Sequence, residues 1–534
     1  MKRKVLLVYP EIPITYWSFK YSLEFIGKKT IFPPLGLLTV AAMLPEEWEL
    51  KLVDLNAETL DPADVADADM AFLSAMMIQQ DSFREVVSLC REHGTTVVAG
   101  GPYATSSHHE IDGVDHFILN EAEVTLPLFL NDLEKDKAVH IYEDETRPDI
   151  TKSPVPRFDL IDPDVYSSMP LQFSRGCPFN CEFCDIIELF GRVPRTKDPD
   201  QFVRELDTLV SVGDVRSVFI VDDNLIGNKK RVKDLLRAIV AWQKNNNYPV
   251  SFQAETSINL ADDEELLDLM EEAAFDMVFV GIETPDEETL KSTQKLQNIR
   301  GNMLENVEKI QRRGIEVTAG FIVGFDSDPE DIFDVQIDWI QRSGIIQAMV
   351  GLLDALPNTQ LYRRLQKEGR LLGDSSGNNT HDLDLNFIPK MPVSKVIPGY
   401  LRVLSEIYDP ENYFERAFEL YKRLPGNKKV YRPFTKREAR ALFLSFYRQT
   451  FSRYGHHYLR FLWKSLRYDA RLFSEAVAMA IKGYHLFKIT GMLLEEDVNM
   501  YIENAEKAVP GSWLRRGTGA PGSKKKVALQ GLKA

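Results

Sequence analysis

The chain has 534 residues, 44% apolar and 27% charged, with a formal net charge of -16. At roughly 150 residues per domain that suggests about three domains. No run approaches the roughly 18 apolar residues of a membrane-spanning helix, and an acidic body argues against a nucleic-acid substrate, because phosphate binding needs a basic face.

The first ten residues are too short an apolar run for a signal peptide and read as a strand, so the protein is expected to be cytoplasmic. Residues 1–140 alternate strand and helix patterns. Strands are predicted at 5–9, 50–54, 70–75, 96–100 and 116–119, and helices at 36–44, 81–93 and 121–130. Short apolar strands alternating with helices predict a doubly wound, Rossmann-like α/β domain, which binds ligands at the carboxyl ends of its strands. Residues 141–170 lose periodicity and read as a linker. Residues 171–370 alternate again, with strands at 171–175, 217–222, 251–255, 277–283, 317–325 and 349–356. Helices are predicted between them at 198–212, 230–244 and 329–342. These βα units predict a partial TIM barrel, (β/α)6, with its chemistry at the strand C-termini. A Gly-, Ser-, Asn- and Asp-rich loop over 371–390 opens a mostly helical stretch, 371–510. Residues 511–534 are predicted to be a disordered tail.

Only four cysteines occur. Three of them fall in Ser174-Arg-Gly-Cys177-Pro-Phe-Asn-Cys181-Glu-Phe-Cys184, just after the first barrel strand. Disulfides are not expected in the cytoplasm, so a tight cysteine loop points to metal or redox chemistry. Zinc is the plain alternative, but structural zinc sites are closed by four ligands, usually in CxxC pairs. Three thiolates can satisfy three irons of a cubane and leave the fourth open.

A CxxxCxxC loop in this place resembles the signature of the radical S-adenosylmethionine (SAM) superfamily. The resemblance implies a 4Fe-4S cluster on Cys177, Cys181 and Cys184, with SAM bound to the open iron and cleaved to a 5′-deoxyadenosyl radical. By position it implies further SAM contacts. Phe183 would lie near the adenine, and Asp222, Asp223 and Asn224 would face the SAM amino group. Glu255, Gly281 and Glu283 end the third and fourth strands, and Gly320 and Gly324 lie on the glycine-bearing strand beside the adenine. Each also has a plain reading, as a helix N-cap, a core ring or a turn glycine. No catalytic residue is assigned.

A doubly wound domain ahead of such a core resembles the cobalamin-binding radical SAM class, and the resemblance covers nearly the whole chain. It implies cobalamin contacts at Pro34, Gly36, Asp54, Ser74, Gly100, Gly101 and Glu121. Two departures stand out. Asn120 and Ala122 replace the usual glycines, and no Asp-x-His-x-x-Gly supplies a histidine to cobalt. A domain that has lost its cofactor therefore stays open.

The cysteine loop, the following Leu-Phe-Gly-Arg192-Val-Pro-Arg195 and the early Phe32-Pro-Pro-Leu-Gly-Leu-Leu resemble the subgroup that includes hopanoid C-2 methylases. That implies C-methylation of an unactivated carbon in a small molecule or lipid, with flavodoxin or ferredoxin as electron donor. An oxidative cyclase or rearranging enzyme without methyl transfer is the alternative, and a binding protein with a vestigial cluster is a third reading. Arg192 and Arg195 could anchor a carboxylate, brace the cluster loop or be surface groups.

Residues 421–490 hold 16 Lys and Arg against 3 Asp and Glu, which leaves -29 on the rest. This window could rest peripherally on the inner membrane face. Equally, its long stems could cover helical packing. His456 and His457 read as structural or surface groups.

Overall fold

The first sheet is built from runs whose alternate side chains enter two different cores. Val5 and Leu7 point to one side of it, Leu6 and Val8 to the other. A strand buried on both faces reads as a continuous apolar run, the pattern of a parallel sheet covered by helices. The structure, a computed structural model, describes residues 2–425 and 435–507. Its first sheet holds β1 (Lys4–Tyr9), β2 (Glu49–Asp54), β3 (Met70–Ser74), β4 (Thr96–Gly100), β5 (His116–Ile118) and β6 (Ile141–Tyr142). The order is β2-β1-β3-β4-β5-β6 and every pairing is parallel. The doubly wound fold expected from the sequence is the one observed.

The stretch 141–170 is irregular but packed. It contributes β6, and Ile150, Phe158 and Tyr166 are buried. Tyr166 Oη donates to Asp54 Oδ2 at 3.1 Å, which ties the stretch to the end of β2.

The second sheet starts at β7 (Met169–Leu171). An antiparallel ribbon of β8 (Ser174–Arg175) and β9 (Arg195–Thr196) follows and frames the cysteine loop. Next come β10 (Ser217–Ile220), β11 (Ser251–Thr256), β12 (Phe275–Glu283), β13 (Glu316–Val323) and β14 (Ala348–Leu352). Six strands, β7 and β10 to β14, pair in parallel and in chain order, the partial barrel that the sequence predicts. The strand expected over 171–175 is broken in two. Asp222 takes the Phe173 N–H, which a continuing strand would give to its neighbour, and the chain turns away into β8.

The C-terminal region is helical: Val393–Ile407, Pro410–Arg423, Lys436–Thr450, Gly455–Tyr468, Phe473–Leu494 and Val498–Lys507. It grips both sheets. Tyr16, between β1 and β2, bonds Thr490 Oγ1 at 2.9 Å and stacks on Tyr408. Its carbonyl meets His485 Nε2 at 3.2 Å. Arg416 is wholly buried and donates to Ile345 O, Gln341 Oε1 and Ile407 O at 2.7 to 2.8 Å. Truncation to alanine leaves two buried carbonyls unpaired, each worth about 1–3 kcal/mol. Arg416→Ala is therefore expected to lower stability by roughly 3 kcal/mol, read as a fall in the urea midpoint.

No described helix is long and apolar enough to cross a membrane. The tail expected over 511–534 lies outside the described residues, as do 426–434 of the basic window.

A candidate cofactor site between the two sheets

The cysteine loop begins at Gly176, whose φ of +94° is open to glycine but strained for other residues. A Cβ there would lie 2.8 Å from Gly191 O. Gly176 N donates to Asp223 Oδ2 at 2.7 Å, and Cys177 N to Gly191 O at 3.2 Å. Further along, Glu182 N donates to Thr293 O, and the Glu182 carboxylate pairs with Arg364, which also holds Asp326. The loop is thus clamped at both ends.

Its three thiols lie within electrostatic reach of one another: Cys181 acts on both Cys177 and Cys184. Burial pushes Cys177 and Cys184 up, so without a metal these thiols stay protonated. Amide donors face the sulfurs. Asn224 Nδ2 lies 3.9 Å from Cys177 Sγ, and Gln297 Nε2 3.7 Å from Cys181 Sγ. Among the described residues no three His, Cys, Asp or Glu side chains are gathered for one metal ion. Sulfurs that serve three separate irons need no such gathering, and N–H groups aimed at sulfur suit a cluster.

Lys295 belongs to no motif that would single it out. Its ammonium pairs with Glu283 at 2.6 Å, feels Cys181 and Cys184, and lies 5.9 Å from the Phe183 ring centre. It sits in an unremarkable Thr-Gln-Lys, and only the fold brings it under the loop.

The strand-end residues divide into two groups. Asp222 is fully engaged, accepting from Phe173 N at 2.7 Å and Ser174 Oγ at 2.6 Å. It braces the loop entrance, with each carboxylate oxygen already accepting one bond from the chain. Asp223, Asn224 and Glu255 remain available. Burial lifts Asp223 to about 7, and burial with the nearby Asp223 and Asp222 charges lifts Glu255 to about 8. Asn224 Oδ1 is buried without a hydrogen-bond partner. A cation docked here would relieve the crowded carboxylates and satisfy that orphan acceptor.

Gly281 makes room for the ion pair and Gly320 for the Phe279 ring. A Cβ on Gly281 would collide with Glu283 Oε1 and lie 2.8 Å from Lys295 Nζ, and one on Gly320 would lie 3.1 Å from Phe279. Gly324, at φ +100°, donates its N–H to Asp328 at 2.8 Å. Phe183 packs 5.7 Å from Phe325.

A cavity of about 270 Å³ opens at the carboxyl edge of the first sheet. Gly36, Ser74, Gly100 and Gly101 wall one side, Gln172, Arg175 and Phe190 the other. A Cβ on Gly101 (φ +84°) would collide with Ser74 Oγ. Gly101→Ala is therefore expected to cost roughly 1–3 kcal/mol and to shrink the cavity, read as weaker retention of added cobalamin on gel filtration.

Asn120 also lines the cavity, at φ +61°, with Nδ2 buried and unpartnered. Asparagine tolerates that conformation, so the chain keeps a glycine-like turn there and gains a free donor. Such a donor fits the amide-rimmed edge of a corrin. Pro34 does not line the cavity but precedes the helix Leu35–Ala41, which does. Asp54 lies outside it, occupied by Asn56 and Tyr166.

Glu121 lines the cavity, yet its carboxylate is already bound by Arg175 and Arg195, each at 2.7 Å. Glu123 adds a second bond to Arg175 at 2.7 Å. Burial works to raise Glu123, but the Arg175 hydrogen bonds win and hold it at about 2. The two sheets are therefore bolted together beside the cysteine loop. Arg195 is one of the bolts. Among the described residues Arg192 donates to Pro178 O alone, at 3.2 Å.

The B12 binding domain family matches residues 28–130, the radical SAM superfamily 171–340, and a domain of unknown function, DUF4070, 359–498. "Uncharacterized methyltransferase sll1242" of Synechocystis is 42% identical over 92% of this chain and 93% of its own length. The chain belongs to the cobalamin-binding radical SAM family. The hopanoid C-2 methylase of Rhodopseudomonas palustris is 35% identical, covering 78% of each chain. The cobalamin-dependent SAM radical enzyme OxsB, with aqua-cobalamin bound, shares the fold at a TM-score of 0.59 and 15% identity, over 94% of this chain and 83% of that one. Membership makes this chain an enzyme whose cofactors are a 4Fe-4S cluster, SAM and cobalamin.

Proposed function

We propose that this chain is a C-methyltransferase acting on an unactivated carbon of a small apolar molecule, with a hopanoid-like lipid as the substrate class that the 35% identical relative suggests. One observation carries the reading. The cavity of the first sheet is walled by Gln172 and Arg175, and Arg175 lies two residues before Cys177. A methyl donor held there and a radical source held by the cysteines would address the same space.

In this reading Cys177, Cys181 and Cys184 each ligate one iron, and Asn224 and Gln297 direct N–H groups at the sulfurs. Asp223, Asn224 and Glu255 receive the cationic end of SAM. Gly281 leaves room for the Glu283–Lys295 pair, whose ammonium faces Cys181 and Cys184, and Gly320 for the Phe279 ring. Asp222 fixes the loop from behind. Phe183 and Gly324 close the side by Phe325. Gly36, Ser74, Gly100, Gly101 and Asn120 shape the cobalamin chamber, and Glu121 keeps its walls in register. When bound, the cluster and one SAM would supply a 5′-deoxyadenosyl radical that takes up a substrate hydrogen as 5′-deoxyadenosine, and cobalamin, remethylated by a second SAM, would supply the methyl group. The Leu, Val and Phe side chains lining the chamber keep water from that reaction. A reduced flavodoxin or ferredoxin would deliver the electrons, at the cytoplasmic face of the membrane.

The test is anaerobic turnover with methyl-deuterated SAM, a chemical reductant and a hopanoid-containing lipid extract. Product carrying the labelled methyl is the expected result. Product that is oxidised or cyclised and carries no label overturns methyl transfer. No 5′-deoxyadenosine at all overturns the radical assignment.

A further inference from the structure

The helix Lys436–Thr450 is patterned inside out. Its buried face carries Ala441, Ser445 and Gln449. Gln449 Nε2 donates to Ser445 Oγ at 2.9 Å, and Ser445 Oγ meets Tyr458 Oη at 3.1 Å. The outer face carries the rings. Phe443 is 67% exposed, Tyr447 61% and Phe451 80%; at four-residue steps, Phe443 stacks on Tyr447 with centres 6.3 Å apart and Tyr447 meets Phe451 edge-on at 6.2 Å. Leu442 and Phe446 are exposed on the adjoining flank. A helix that packs only within its own protein turns its apolar stripe inward.

The next helix, Gly455–Tyr468, repeats the pattern. Leu459, Trp463 and Leu466 form an exposed stripe at four- and three-residue steps. Leu442 and Phe446 on the first helix and this stripe on the second lie on the flanks that the neighbouring helices leave open. The first helix turns its other flank to the helix Lys20–Ile26, marked by Arg448 against Glu24 and over Phe25. The second turns its other flank to Pro410–Arg423, marked by Phe461 on Phe414. The apolar flanks therefore line one outward groove.

Charge surrounds this groove. Residues 436–468 hold eight Lys and Arg against one Glu, and that Glu438 is used to cap Thr435. Lys436, Arg440, Arg453 and Arg467 have no carboxylate partner among the described residues. They lack such a partner among the described residues although the chain outside 421–490 sums to -29. A second copy docked on the same face would bring its own cations against these. A surface that is anionic outside and apolar beneath satisfies both features.

We propose that the hairpin 436–468 docks on an anionic lipid bilayer, its rings entering the acyl boundary and its unpaired cations meeting the headgroup phosphates. Docking needs no cluster, SAM or substrate, so its success or failure is separate from the substrate assignment. The test is co-sedimentation of the full chain with vesicles of phosphatidylcholine alone or rich in phosphatidylglycerol. Binding about tenfold tighter to the anionic vesicles, and weakened by salt, is expected. The combined substitutions Phe443→Ser, Tyr447→Ser and Phe451→Ser should abolish it without moving the melting temperature, because these rings are exposed. Absence of binding to either vesicle, or undiminished binding by the triple variant, overturns the proposal. A lipid-free dimer that the triple variant dissociates, with no vesicle binding, assigns the groove to a second copy and overturns it too.

Discussion

Cys177→Ala is expected to remove the protein's iron and to lower 5′-deoxyadenosine formation to background. The fall should be on the order of a thousandfold or more, the scale met when a group that carries the chemistry is deleted. The same holds for Cys181 and Cys184, because each serves a different iron in the proposed site. Cys90 is the internal control. It is buried in the second core of the first sheet, and burial pushes its thiol up to about 11. Cys90→Ala should keep both iron and turnover and lose only packing energy. Iron and sulfide analysis of anaerobically prepared protein reads the result. If Cys177→Ala retains a full cubane, the ligand assignment fails.

Arg175→Met should be the most destabilising single change at the junction of the two sheets. It leaves Glu123 with Ser153 alone and Glu121 with Arg195 and, at 3.8 Å, Arg147. Breaking a buried pair from one side costs about 3–5 kcal/mol. The double variant Arg175→Met with Glu123→Gln should recover part of that loss, since it no longer buries an uncompensated charge. The pH dependence has a definite sign. Glu123 is held at about 2 in the fold against an ordinary 4.5. The stabilisation is therefore present in full above about 4.5 and is lost as pH falls through about 2. Urea titrations of wild type and variant should differ most at neutral pH and converge in acid. A gap that does not change with pH would mean that Arg175 acts by packing.

The strands were legible because a parallel sheet buried on both faces needs near-continuous apolar runs, and those survive as pattern. Elements β2, β4 and β11 fall within a residue of their expected ends. The cysteine loop was legible because its three sulfurs sit within eight residues. What escaped was set by partners far along the chain. Asp222 looked available, but the groups that occupy it lie 48 and 49 residues away. Lys295 meets Cys181 and Cys184 only after the helix behind β12 folds back. Glu121 sits where a ligand residue was expected, yet Arg195, 74 residues on, claims it. Asn120 read as a departure from a glycine motif, and the backbone angle shows why the departure is tolerated. Spacing within a motif survives in one dimension; neutralisation of a buried charge does not.

The anchoring of Tyr16 by Thr490, Tyr408 and His485 bears on how the enzyme can be taken apart. The chain leaves its first strand, packs against the C-terminal helices and returns before laying down its second. A fragment ending at residue 140 would carry that crossing segment with its buried ring stripped of cover. Dissection at the apparent boundary should yield aggregating pieces, and B12 capture is best studied in the intact polypeptide.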